Sequence, residues 1–113
     1  MKNFKIEPQR PLEGYLFEIF LTDEVKNQLE RLKKDKGLEK RYNAVKKAIH
    51  FLSENPRHKS LKTHEFTSLK GPKGEKIFEA YAEQSTPAAY RIFWYYGPDK
   101  NQITIGSIEI EGR

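Results

Sequence analysis

Residues 88–108 read AAYRIFWYYGPDKNQITIGSI, a stretch that predicts two β-strands joined by a turn. The run Tyr90–Tyr96 is aromatic and β-branched, a composition that fits a pleated, half-buried surface. Residues 97–101, Gly-Pro-Asp-Lys-Asn, are turn chemistry, because proline presets φ while glycine, aspartate and asparagine tolerate unusual backbone angles. The stretch therefore predicts a β-hairpin.

Arg91 is the residue of this hairpin that a purely structural role explains least well. Side chains alternate across a strand, so Arg91, Phe93 and Tyr95 share one face while Ile92 and Trp94 share the other. A guanidinium between aromatic rings suits phosphate groups and stacked bases. The competing interpretation is an arginine that pairs with a carboxylate and packs its stem on Phe93.

Length and composition narrow the class of protein. A chain of 113 residues with 36% hydrophobic and 33% charged residues predicts a single domain with a lean core. The sequence shows neither a membrane span nor an apolar signal-peptide core, so we expect a cytoplasmic location and no membrane partner. Cysteine is absent, which excludes disulfides and a cysteine nucleophile. Neither metal-ligand spacing nor a phosphate loop is present, so the sequence predicts no cofactor and no metal.

The net charge of +5 is unevenly distributed along the chain. Residues 31–47 contain eight Lys or Arg, and residues 57–76 contain six, whereas residues 1–30 have more carboxylates than bases. Such a basic stripe is typical of a nucleic-acid binder or of a protein held by an acidic partner. A solvated helix face next to a basic loop remains the alternative.

The order of elements predicts an α+β domain arranged β-α-α-β-β-β, with one extra short strand. We expect two helices, forming a hairpin, to cover one face of a small twisted antiparallel sheet and to leave the Arg91 face open. In chain order we expect an extended N-terminal arm 1–14, a domain 15–108 and a C-terminal tail 109–113. The domain should begin with a strand 15–21, followed by a helix that Thr22 caps and Gly37 ends, and by a helix 38–54 that Asn55-Pro56 stops. The remaining elements are a short strand 66–69 and the strands 76–82, 90–96 and 102–108.

These features, in this order, resemble the RelE/ParE superfamily of toxins from type II toxin–antitoxin systems. The resemblance spans about residues 15–108 and rests on features that occur in this order: the Thr-Asp-Glu helix start, the lysine-rich helical hairpin, the basic segment 57–64, Leu69-Lys70-Gly71, Ile77–Tyr81 and Ala89–Trp94. It implies a cytoplasmic toxin bound by a cognate acidic antitoxin. One branch, which the basic segment favours, cuts mRNA in the ribosomal A site without a metal. The other branch inhibits DNA gyrase, and a non-catalytic RNA-binding remnant is a third possibility.

The resemblance also implies site residues. RelE-like nucleases use Lys and Arg to orient RNA, balance phosphate charge and move protons, and histidine suits the same proton transfers at neutral pH. Together with the residue chemistry above, this predicts a catalytic set of Arg91, Lys62, Lys59 and His64 and an RNA-binding set of Arg57, His58, Lys70, Lys73, Phe93 and Tyr95.

The C-terminus departs from the family pattern. RelE-like nucleases usually carry Arg, His or Tyr just after the last strand, whereas this chain has Glu109 and Glu111 there and Arg113 at its end. Residues 110–113, Ile-Glu-Gly-Arg, also match the cleavage sequence of a common processing protease. If these residues are an added cleavage site, Arg113 has no function. This departure leaves catalysis open without affecting the predicted fold.

Overall fold

The computed structural model describes residues 4–6, 16–84 and 86–110. Across these residues the chain forms six strands, two α-helices and two short 3₁₀ turns, at Lys36–Leu38 and Lys59–Leu61. The strands and helices are β1 Phe4–Ile6, β2 Glu18–Leu21, α1 Asp23–Lys34, α2 Glu39–Glu54, β3 His64–Lys70, β4 Lys76–Tyr81, β5 Tyr90–Tyr96 and β6 Gln102–Ile110. The predicted α+β class is confirmed.

The strands form one sheet in the order β1-β2-β6-β5-β4-β3. All neighbours are antiparallel except β2 and β6, which run parallel, with Ile19 opposite Ile103. The expectation of a wholly antiparallel sheet is therefore wrong at this one pair. The physical reason is the crossover: the chain passes through both helices and three strands before β6 returns beside β2, and only such a long connection can join parallel neighbours.

Local capping sets the bounds of the helices. The Thr22 hydroxyl accepts a hydrogen bond from the Val25 amide at 3.3 Å, as expected for the first turn of α1. That helix ends at Lys34, earlier than the predicted stop at Gly37, because the Asp35 side chain accepts from the Gly37 amide and starts a 3₁₀ turn. The predicted stop of α2 at Asn55 is confirmed.

Both helices pack on the same face of the sheet, as predicted. Their apolar side chains meet Ile92 and Trp94, which are 0% and 1% exposed. The predicted helix contacts are buried or partly buried in this core, namely Val25, Leu29, Leu32, Tyr42, Val45, Ile49 and Leu52. The opposite face is not covered by the helices and can carry polar side chains.

Further element boundaries differ from the sequence prediction: β2 begins at Glu18 instead of residue 15, and β4 ends at Tyr81 instead of residue 82. Phe4–Ile6, within the expected arm, pairs antiparallel with β2. The short strand begins at His64 instead of residue 66. Strand β6 runs to Ile110, so Glu109 pairs with Arg91 where a tail was expected. The described residues leave out 1–3 and 7–14 of the predicted arm and 111–113 of the predicted tail. Of residues 4–6, only the backbone is described.

Candidate functional site on the open sheet face

Strand pairing places Arg91 in the middle of the open face. On β5 it lies between Tyr81 of β4 and Glu109 of β6, its two cross-strand partners. Side chains directly opposite one another project to the same face, so these three residues lie on the side away from the helices. The next position along β5 on this face, Phe93, lies opposite Glu79.

Glu79 is the centre of a three-residue cluster. Its side chain is only 3% exposed, and its two carboxylate oxygens have different partners. Oε2 accepts from Nη1 of Arg91, and Oε1 lies 2.6 Å from Nε2 of His64. A buried carboxylate needs such partners, because leaving it unpaired in a low-dielectric interior is costly. Glu79 therefore fixes one cation from β5 and one imidazole from β3.

The structural interpretation of Arg91 is confirmed. Its guanidinium pairs with Glu79, and its central carbon lies 5.4 Å from the centre of the Phe93 ring. Phe93 is 7% exposed and also meets the Phe66 ring edge-on, with centroids 5.0 Å apart. Because so little of Phe93 is exposed, its ring offers little free surface for a stacked base, and its RNA-binding role stays a prediction. Tyr95 is half-buried on the same face.

His64 is the exposed member of the cluster. Its side chain is 51% exposed although Glu79 holds one ring nitrogen. The other nitrogen, Nδ1, lies 3.2 Å from the backbone oxygen of Lys62. Both ring nitrogens thus lie near oxygen atoms, one of the Glu79 carboxylate and one of the Lys62 backbone. The ring centre of Tyr81 lies 6.1 Å away.

A cleft of about 620 Å³ opens beside His64. Lys62 lies at its edge and has a left-handed backbone, with φ of 48°. The cleft is lined by Lys62, His64, Tyr81, Glu83, Gln84, Thr86 and Pro87. Its volume is within the range of small-molecule sites.

Arg41 of α2 holds the loop that forms the far wall of this cleft. Its guanidinium donates to the backbone oxygens of Ala88 and Pro87, the latter at 3.0 Å. It also lies 3.7 Å from the Glu83 carboxylate and 5.3 Å from the centre of the Tyr90 ring. Arg41 therefore ties the wall to the helical layer.

The other predicted residues are not gathered here. Lys59 and Arg57 are exposed on the segment before β3. His58 stacks on Phe51 of α2, with ring centres 4.1 Å apart, and accepts from the Ser60 amide, which are structural contacts. Lys70, at the end of β3, lies about 20 Å from His64 at the usual rise per strand residue. Lys73 is exposed in the turn that follows.

Sequence reasoning missed Glu79. A signal was present, because Glu79 is the one carboxylate within Ile77-Phe78-Glu79-Ala80-Tyr81 and projects to the same face as Arg91 by alternation. A charged residue inside an apolar strand needs a partner, and Arg91 on the next strand has the matching charge.

Within the described ranges, no three His, Asp or Glu side chains cluster closely enough to hold a metal ion. Neither helix of the described chain is long and apolar enough to cross a membrane.

Comparison with solved structures finds the archaeal RelE–RelB complex from Pyrococcus horikoshii OT3. The match has a TM-score of 0.59 and 17% identity, and covers 87% of this chain and 98% of the archaeal chain. This chain has a RelE-like fold. No protein-family model matches the sequence, and no curated protein matches it. The RelE-like fold of this chain thus carries an Arg–Glu–His cluster on its open face.

Proposed function

We propose that this protein is the toxin of a toxin–antitoxin pair and that it cuts mRNA on the ribosome without a metal. The observation that carries the proposal is the cluster of Arg91, Glu79 and His64 beside the Lys62 cleft, on a RelE-like fold. The solved neighbour is a RelE bound to RelB. An equivalent acidic antitoxin is the partner we propose here, and the cytoplasm is the proposed place of action.

The chemistry of the site suits phosphodiester cleavage. Cutting RNA through its own 2′-hydroxyl requires positive charge near the phosphate and a group that moves a proton. Lys62 provides positive charge in the cleft, Arg91 adds a guanidinium in the adjoining cluster, and His64 provides an exposed imidazole. Lys59 lies five residues before β3 begins at His64 and adds to the positive field there. RNA tracks such positive grooves through its backbone.

Induced expression in a bacterium tests the proposal. The wild-type chain should arrest growth and produce cuts at A-site codons, mapped by primer extension. Lys62→Ala should lower cleavage at least tenfold, because one charge-assisted phosphate contact contributes about 1.5–3 kcal/mol. Lys100→Ala is the matched control, since Lys100 is exposed in the β5–β6 turn. Normal growth and intact mRNA with the wild-type chain would refute the proposal.

A second candidate is a toxin of the same fold that does not cut RNA and instead inhibits DNA gyrase or occupies another partner. One observation favours it: Arg91 is already paired with Glu79, and Nε of Arg91 is buried with no hydrogen-bond partner among the described residues. Inhibition of gyrase supercoiling by purified protein, with mRNA left intact, is the result that distinguishes this candidate.

A further inference from the structure

The described end of the last strand lacks an obvious proton donor for RNA cleavage. Strand β6 finishes with Glu109 and Ile110, and Glu109 lies opposite Arg91. A cleavage step needs a proton for the departing oxygen, and the described part of the open face offers a group that can deliver it. The open face contains one exposed imidazole, on β3, at the other side of Arg91.

The contacts of His64 are those of an oriented acid. A carboxylate that holds one ring nitrogen fixes the orientation of the ring and stabilises its protonated form, while the other nitrogen can transfer a proton. Here Nε2 lies 2.6 Å from a carboxylate whose residue is 2% exposed, and Nδ1 has the longer contact, 3.2 Å to the Lys62 oxygen. The Nδ1 contact is exposed, so an incoming substrate oxygen can replace it.

Glu79 is itself held in place from the opposite side. Arg91 pairs with the second carboxylate oxygen, and the Phe93 ring packs against the guanidinium. The carboxylate therefore cannot turn away from His64 without breaking the contact to Arg91. Glu79 sits too deep to touch RNA, so its effect on the reaction passes through His64.

We propose that His64 is the proton donor to the leaving oxygen and that Glu79 is its positioning residue; this rests on the proposed endoribonuclease function. The 2′-oxygen attacks phosphorus, the bond from phosphorus to the 5′-oxygen breaks, and the His64 Nδ1 proton moves to that 5′-oxygen. The 2′-hydroxyl proton passes to water. The products are a 2′,3′-cyclic phosphate and a 5′-hydroxyl, and His64 regains its proton from solvent.

Sulfur substitution tests this assignment. Ribosomes are programmed with one of two short mRNAs that differ only at the mapped cut. One mRNA has the normal bridging 5′-oxygen, and the other has sulfur in its place, which departs as a thiolate without needing a proton. His64→Ala should lower cleavage of the oxygen-linked mRNA by about 10²–10³-fold. The same variant should cut the sulfur-linked mRNA at nearly the wild-type rate, because the thiolate needs no proton. Glu79→Gln should show the same pattern with a smaller loss. Recovery on sulfur also shows that each variant is folded.

A matched His–Glu pair on α2 serves as the control. His50 and Glu54 lie 3.2 Å apart on the helical layer, away from the open face, and His50→Gln and Glu54→Gln should leave both substrates unaffected. If the His64 variant loses cleavage equally on the two mRNAs, or on neither, His64 is not the proton donor. Cleavage by the wild type would still uphold the endoribonuclease function in that case. A wild-type chain that cuts neither mRNA overturns the function and this assignment with it.

Discussion

At the scale of single residues, Glu79 and Arg91 determine whether the open face is stable. Arg91→Met removes the partner of a buried carboxylate and should lower the free energy of unfolding by about 3 kcal/mol. Glu79→Gln in the same background removes the buried carboxylate charge that has lost Arg91 and should recover part of that loss. Urea unfolding of the two single variants and the double variant should give a coupling energy of about 1–3 kcal/mol.

The exposed pair His50 and Glu54 provides the comparison for that cycle. Its members are 42% and 46% exposed, so water screens their attraction. The corresponding cycle should give no more than about 0.5 kcal/mol. A coupling for Glu79 and Arg91 as small as this would mean that their contact is not a stabilising ion pair.

Thr22 shows how one side chain links two elements. It caps α1, and its hydroxyl also donates to the Gly106 oxygen of β6 at 3.2 Å. Thr22→Ala loses both hydrogen bonds and should cost about 1–2 kcal/mol of unfolding free energy. Thr22→Ser keeps the hydroxyl and should cost clearly less. Thermal or urea unfolding of both variants measures the difference, and equal costs would show that the lost methyl group, not the cap, matters.

The wall of the cleft depends on the link between α2 and the loop before β5. Arg41→Gln removes the ion pair to Glu83 and the donors to the Pro87 and Ala88 oxygens, so the loop should open more often. Limited proteolysis should then cut within residues 83–89 several times faster than in the wild type. Lys40→Gln, an exposed neighbour on α2, is the control. Unchanged proteolysis would show that other contacts hold the wall.

At the scale of the whole molecule, the charge of +5 is concentrated in the middle of the sequence, on α1, α2 and the segment before β3. Association with the proposed acidic antitoxin should therefore weaken as salt rises, mainly through slower association, because ions screen exposed charges beyond about 10 Å at 0.1 M. Titration calorimetry over salt concentrations from about 50 to about 500 mM measures how the affinity for the antitoxin changes with salt. An affinity that does not change with salt would contradict it.

The sequence by itself determined the α+β order, the Thr22 cap, the stop at Asn55, the turn at 97–101 and the face on which Ile92 and Trp94 are buried. These signals are local, since each depends on residues within a few positions of one another. Only the tertiary structure decided that β2 and β6 run parallel, that Glu79 joins Arg91 to His64, and that Phe93 is covered. Those facts depend on which strands lie side by side and in which register, and the partners are separated by 12 residues or more.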